Sequence, residues 1–445
     1  MDWKISDPFE VYSRIYPHFE NSFILESSAG PEELAKYTFM GFNPRATLTL
    51  TDGIFKENGE PVIKTSDPLG PLKLLEQDFQ DLSLPLTGRY LGGLVGYISY
   101  DFVRYLEDLP APDRPERFPD LQMGLFLDGL IHSRDRDTLT YFTYREDCSS
   151  ELQELLYKSP EGGAEFKPSG FKSDFAKGEF TSTIEKTKDY IYSGDIYQTV
   201  ISRKLTGQFE GDQINAYRKL RKINPSPYMY HLQFKDRRVI GSSPEKLISV
   251  TDDEIVTYPI AGTRPLGGTE PERKRLRDEL ISDGKERAEH NMLVDLARND
   301  VGRVAEYGTV EVPEYMEVKK FSHVQHIVSK VTGKLAEKAS VFDVLGAMFP
   351  AGTVSGAPKV RAMELIDELE ASRRGPYAGA VGYLSFTGGL DTCITIRSMY
   401  TNEEEICLRA GAGIVADSNP SKEWDEINHK LGALRDAVSL GGEGG

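Results

Sequence analysis

The run Lys285-Glu286-Arg287-Ala288-Glu289-His290-Asn291-Met292-Leu293-Val294-Asp295-Leu296-Ala297-Arg298-Asn299-Asp300 carries the periodicity of a helix over 284–299, and it opens on two glutamates three residues apart. That spacing puts Glu286 and Glu289 on one helix face. A second run, Ser421-Lys422-Glu423-Trp424-Asp425-Glu426, repeats the arrangement with Glu423 and Glu426. Its helix is expected at 420–437, capped by Asn419 or Ser418, with Pro420 in the first turn. Two such faces brought together offer up to four carboxylates, an oxygen-donor set suited to a hard cation such as Mg²⁺. Either pair alone also fits a solvated helix face.

Working outward, the chain has 445 residues, 39% hydrophobic and 28% charged, which predicts a soluble α/β-type body or two to three domains. The net charge of −17 excludes a broad basic face for nucleic acid or an anionic membrane. An anionic substrate is still possible, because a few basic residues and a metal reverse the local potential. The three cysteines, Cys148, Cys393 and Cys407, show no zinc or disulfide spacing. The Met1-Asp2-Trp3-Lys4 start lacks a signal-peptide pattern, and no apolar run reaches the length of a membrane span. A cytoplasmic protein with no membrane and no nucleic-acid partner is expected.

Residues 1–157 read as a β-rich N-terminal region, with a proline-rich exposed loop at Asp108–Asp120. Residues 158–178, poor in apolar side chains, read as a linker. Helical periodicity then appears at 180–193, 213–223, 270–282, 284–299, 341–348, 358–371 and 420–437. Strands are expected at 196–205, 228–234, 237–242, 254–260, 379–386, 391–399 and 404–415. Neighbouring strands interrupted by helices predict an α+β fold with large antiparallel sheets surrounded by helices, in a catalytic region over 179–440. Gly411-Ala412-Gly413-Ile414-Val415-Ala416 matches a dinucleotide fingerprint. The strand runs on through Ile414-Val415 instead of turning into a helix, so the match is set aside.

Six short segments combine glycine, a turn and a reactive polar residue. They are Gly194–Gln198, Ser243–Glu245, Pro259–Arg264, Gly352–Lys359, Arg373–Tyr377 and Arg409–Gly413. Each alone fits a structural turn. In this order, and with the run Glu289–Asp300 and the run Gly356-Ala357-Pro358-Lys359-Val360-Arg361-Ala362-Met363, they resemble the chorismate-utilising enzymes. The resemblance is dense over about 180–437. It reaches the N-terminal region through Leu25-Glu26-Ser27 and Gly92-Gly93-Leu94-Val95-Gly96-Tyr97.

The resemblance implies a cleft that takes chorismate, a dicarboxylate. It implies a Mg²⁺ ion on Glu289 and Glu426, supported by Glu286 and Glu423, that grips the ring carboxylate. The other carboxylate would meet Arg397, Tyr377 and the backbone of Gly411, Ala412 and Gly413, with Lys430 as a further cation. Lys430 also lies one turn beyond Glu426, where a plain helical ion pair is the alternative. Gly262, Thr263 and Thr353 are expected at the substrate, Glu245 as general acid, and His326 as an aid to elimination or as a core histidine. His323 is read as structural.

Two positions separate the branches of the family. Relatives that add water carry a lysine where this chain has Gln198, and glutamine cannot act as a base. Relatives that attack the ring covalently carry a lysine where this chain has Ala261. The resemblance therefore implies direct attack by ammonia, as in the anthranilate-synthase branch. Aminodeoxychorismate synthesis, or a non-catalytic chorismate- or tryptophan-binding subunit, are the alternatives. No cysteine sits in a glutaminase-like context, so ammonia is expected from a separate glutamine amidotransferase subunit. Glu26, Ser27, Pro227, Tyr228 and Met229 resemble the segments by which tryptophan inhibits such enzymes.

Overall fold

The computed structural model describes residues 2–5, 7–28, 37–80, 90–110, 114–158, 163–321 and 324–439. The apolar alternation of the sequence resolves into two antiparallel sheets of twelve strands each, flanked by helices. The first sheet runs in the order Asp2–Lys4, Thr138–Thr143, Asp128–Ser133, Tyr37–Phe42, Asn21–Glu26, Tyr228–Phe234, Arg237–Ser243, Ser398–Thr401, Ile406–Ile414, Gln198–Glu210, Lys167–Ser173, with Gly356–Ala357 also on Gln198–Glu210. The second runs Ile260–Pro265, Val324–Lys334, Glu254–Thr257, Lys246–Thr251, Leu390–Ile394, Ala380–Ser385, Gly93–Ile98, Leu121–Phe126, Ala46–Thr51, Ile54–Glu57, Glu60–Lys64, with Glu311–Lys320 on Val324–Lys334.

In each sheet a block of early strands joins a block of late strands at one seam. Asn21–Glu26 pairs with Tyr228–Phe234, and Gly93–Ile98 pairs with Ala380–Ser385. The period-two pattern sorts side chains to opposite faces. Phe23, Tyr230, Leu232 and Phe234 of the first sheet share one core with Leu94, Tyr97, Ile248 and Val381 of the second. Ile24, Met229 and Ile240 point the other way, onto a second core with Phe180, Ile184, Tyr217, Leu365 and Leu431 of the covering helices.

The helix Gly284–Gly302 starts where Asp283 accepts from the N–H groups of Lys285 and Glu286, and it packs on the strands Ile260–Pro265 and Val324–Lys334. The helix Pro420–Ser439 starts at Asn419, whose Oδ1 accepts from Ser421 and Lys422 at 3.1 Å. Ile414 ends its strand with no helix before Pro420, the geometry that rules out a dinucleotide loop.

Some elements differ from the sequence reading. The expected strand 254–260 is two strands, Glu254–Thr257 and Ile260–Pro265. The expected strand 391–399 also divides. Leu390–Ile394 lies in the second sheet and Ser398–Thr401 in the first, and between them Arg397 takes φ 49°. A left-handed residue bends the chain sharply enough to pass from one sheet to the other. Within 158–178, read as a linker, Lys167–Ser173 pairs at the sheet edge, where a polar, exposed strand is tolerated. The β-rich N-terminal region also holds the helices Pro8–Ile15, Leu69–Gln80 and Ser149–Tyr157. The described residues of the proline-rich stretch are irregular but not exposed throughout, since Leu109, Phe118 and Asp120 are buried. His323 lies outside the described residues.

Candidate active site

A cavity of about 290 Å³ is lined by residues of both sheets and of the helix Pro420–Ser439. Its wall carries Glu245, Gly262, Thr263, His326, Thr353, Tyr377, Arg397, Gly411, Gly413, Glu426 and Lys430, all expected at a site from the sequence. Gln198, Glu286, Glu289 and Glu423 lie beyond that wall. Ala412 turns its side chain into the helix-covered core and leaves only its backbone available.

Glu245 follows Pro244 at the end of the strand Arg237–Ser243, and its carbonyl accepts from Ile394 N–H at 3.0 Å. The Thr353 hydroxyl donates to Glu245 Oε1 at 2.7 Å. Burial pushes the Glu245 carboxyl from 4.5 up to about 7, against the opposing pull of Thr353 and of the Arg397 charge. A carboxyl with that value is protonated in about half of the molecules at neutral pH.

Arg397 reaches solvent through the cavity. Burial nevertheless lowers its pKa, with Glu245 partly offsetting the effect. Its strained backbone aims the guanidinium at the cavity, where a planar fork meets a carboxylate in bidentate fashion.

His326 lies on Val324–Lys334 opposite Lys319. Its Nδ1 is 2.8 Å from the Gly262 carbonyl and 3.2 Å from the Thr263 hydroxyl. A carbonyl only accepts, so Nδ1 carries the proton and Nε2 keeps its lone pair. Burial lowers the His326 pKa and the bond to Gly262 opposes that. The Phe321 ring meets the imidazole edge-on at 5.1 Å.

The strand pairing of Ser398–Thr401 stops at Met399 opposite Leu408, so Arg409–Gly413 keeps one edge free of that neighbour. Gly411 and Gly413 permit close approaches there. A Cβ at Gly411 would lie 2.6 Å from the Tyr377 hydroxyl, and one at Gly413 would lie 2.7 Å from Gln198 Nε2. Lys430 donates to the Gly411 carbonyl at 2.9 Å and to Glu426 at 2.7 Å, so the helical pair and the cavity contact coexist.

The two glutamate pairs face the same region. The Glu289 pKa is raised, first by burial and then by Glu286, with Glu426 adding to it and a hydrogen bond from Gln198 opposing it. Glu423 is raised by burial and by Glu426. Arg264 pairs with Glu286 at 2.9 Å. Among the described residues no three acidic, His or Cys side chains already stand in ligand geometry. The donor set is all oxygen and mutually repelling, which fits a divalent hard cation.

Sequence reading missed the buried ion-pair network that Arg409 of the wall joins. Glu370 is buried and accepts from Arg374, Arg409 and the hydroxyl of Ser202 at 2.6–2.7 Å. Arg409, itself fully buried, is fixed by it beside Gly411. It also missed Phe321, Ile260 and Ile396 on the wall. The available signal was their place beside the named motifs.

A second cavity of about 70 Å³ brings together Glu26, Ser27, Pro227, Tyr228 and Met229, with Tyr383, Asp391 and Cys393 opposite. Glu26 pairs with Arg221, and burial still raises its pKa. Glu26 Oε2 and Ser27 Oγ are buried with no hydrogen-bond partner in the chain.

A family described as chorismate binding enzyme matches residues 20–436. The chain is 44% identical over 442 residues to anthranilate synthase component 1 of Methanothermobacter thermautotrophicus, covering 99% of this chain and 94% of that one. It is 42% identical to anthranilate synthase component 1 of Aquifex aeolicus, covering 98% and 93%. Among solved structures, anthranilate synthase component I from Streptococcus pneumoniae aligns with a TM-score of 0.80 at 34% identity, covering 91% and 92%. The menaquinone-specific isochorismate synthase from Escherichia coli shares the fold, with a TM-score of 0.76 at 20% identity, covering 99% and 94%.

Proposed function

This chain belongs to the chorismate binding enzyme family, and from that membership and the chemistry of its cavity we propose that it is the large component of an anthranilate synthase. It converts chorismate and ammonia to anthranilate, pyruvate and water in the cytoplasm, on the way to tryptophan. The observation that carries the reading is a protonatable Glu245 sharing a cavity with an open Arg397 guanidinium, while Gln198 and Ala261 supply neither base nor nucleophile. Residues 179–440 supply that cavity and residues 1–157 part of the second one.

Arg397 and Tyr377 hold one carboxylate of the substrate, and the backbone of Gly411–Gly413 lines it. Ammonia adds to the ring carbon beside the ring carboxylate. Glu245 gives its proton to the departing ring hydroxyl at the far end of the conjugated system, and Thr353 keeps the carboxyl aimed. Loss of pyruvate and of the ring proton then restores aromaticity, with His326 Nε2 free to take a proton. Glu289 and Glu426, with Glu286 and Glu423, would hold Mg²⁺, which as a Lewis acid offsets charge on the ring carboxylate.

Ammonia comes from a separate glutamine amidotransferase subunit, because no cysteine here is activated. Burial raises Cys393 and Cys407, and Cys148 is raised as well. The second cavity takes tryptophan as feedback inhibitor, its unpartnered Glu26 and Ser27 oxygens and the Asp391 carboxylate together suiting an ammonium group.

The test is product formation from chorismate, Mg²⁺ and ammonium at about pH 8.5, followed by anthranilate fluorescence, with EDTA and tryptophan as additions. Anthranilate that disappears with EDTA and falls with tryptophan supports all three assignments. Chorismate consumed without anthranilate, or not consumed, overturns the reading.

A further inference from the structure

The two cavities are separated by one short line of polar contacts. Tyr228, on the wall of the second cavity, donates its hydroxyl to Asp391 Oδ1 at 3.0 Å. Lys246 Nζ lies 3.6 Å from the same Oδ1 and donates to Ser249 Oγ at 2.7 Å. Lys246 is only 8% exposed, and it is the residue after Glu245.

The backbone around Lys246 departs from regular pairing. Its strand pairs with Leu390–Ile394, and the register breaks between Lys246 and Ile248. An irregularity of this kind re-aims the neighbouring side chain. The only ammonium near Asp391 belongs to the chain itself, among the described residues that pair with it. A ligand bearing its own ammonium in the second cavity is a rival for that carboxylate.

We propose that the Lys246–Asp391 ion pair is the link by which an amino-acid inhibitor in the second cavity reaches Glu245, with Lys246 as a positioning residue for the general acid. This rests on reading the second cavity as an amino-acid inhibitor site. Entry of the ligand ammonium draws Asp391 away. Lys246 is left with Ser249 and the Tyr258 ring, the irregular backbone relaxes, and Glu245 leaves its alignment with Thr353.

The experiment uses the full chain with chorismate, Mg²⁺ and ammonium, and tryptophan as the probe. Binding of tryptophan is read by calorimetry and inhibition by anthranilate fluorescence. In the unaltered chain saturating tryptophan lowers kcat by about tenfold or more. At saturating tryptophan, Lys246→Met and Asp391→Asn each reduce that effect on kcat to less than about twofold, and Lys246→Met keeps calorimetric tryptophan binding within about threefold. Lys246→Arg restores it in part, because it keeps the charge. Undiminished inhibition in both uncoupled variants overturns the inference alone. Absence of calorimetric binding to the unaltered chain overturns the reading of the cavity, and the inference with it.

Discussion

The hydroxyl of Thr353 donates to Glu245 Oε1 across 2.7 Å, so the carboxyl whose pKa burial raises is also held in one orientation. The two residues come from separate segments, the turn after Arg237–Ser243 and the short helix Gly352–Val354. A proton donor needs both a matched pKa and a fixed direction, and this pair supplies both.

Replacing the acid separates those roles. Glu245→Gln keeps a hydrogen-bonding partner for Thr353 but has no proton to give. Its kcat should fall about 10²- to 10⁴-fold with little change in KM. Anthranilate fluorescence against chorismate concentration checks this. A fall of less than tenfold would remove Glu245 as the donor.

The pH dependence follows from the same group. Glu245 works protonated, so kcat at a fixed concentration of un-ionised ammonia should decline as pH rises through about 7. Stability changes in the same direction. The folded chain holds this proton up to about 7, whereas an unfolded carboxyl releases it near 4.5. Between those values the native state binds more protons, so stability drops as pH rises across that window. Urea unfolding of Glu245→Gln between those pH values should show a flatter profile than the unaltered chain.

Arg397→Lys keeps a positive charge but loses the fork that grips a carboxylate. KM for chorismate should rise by about 10- to 100-fold, a loss of roughly 1.4–2.8 kcal/mol of binding. Initial rates at saturating ammonium decide it. An unchanged KM would show that the substrate carboxylate is held elsewhere.

Metal removal should act through the glutamate pairs. EDTA should abolish turnover, and Glu289→Gln or Glu426→Gln should raise the Mg²⁺ concentration needed for half-maximal rate by about 10- to 100-fold. Calorimetric titration with Mg²⁺ offers a readout independent of turnover. Equal Mg²⁺ affinity in both variants would exclude these two ligands.

Glu370→Gln should cost about 3–5 kcal/mol of stability, because it leaves Arg374 and Arg409 buried without their carboxylate. The three side chains are only 1–2% exposed, so water cannot replace it. Denaturant unfolding measures this, and a cost under about 1 kcal/mol would mean the network relaxes around the loss.

Much of this was legible in the sequence because the motifs carry their own local physics. Asp283 and Asn419 announce the two helix starts, and the helical spacing then places the glutamates. Lys246–Thr251 was not legible, since Pro244 and Glu245 read as a turn between other segments. Glu311–Lys320 was hidden by Pro313 and by Met316, whose φ is 55°, both marks of a bulged edge strand. The burial of Arg409 was invisible for a deeper reason. A lone arginine in a strand reads as exposed until Glu370, far away in the chain, is known to pair with it.

The seam between early and late strands sets a timetable for synthesis. Gly96 pairs with Gly382. A ribosome adding ~5–20 residues per second makes the first wait about 15–60 s for the second. Throughout that interval the apolar strand Gly93–Ile98 has an unfilled edge on that side. The nascent chain therefore needs shelter from aggregation, such as a holding chaperone, until its last fifth emerges. A truncation that stops short of Ala380–Ser385 would leave an aggregation-prone remnant, not a smaller working protein.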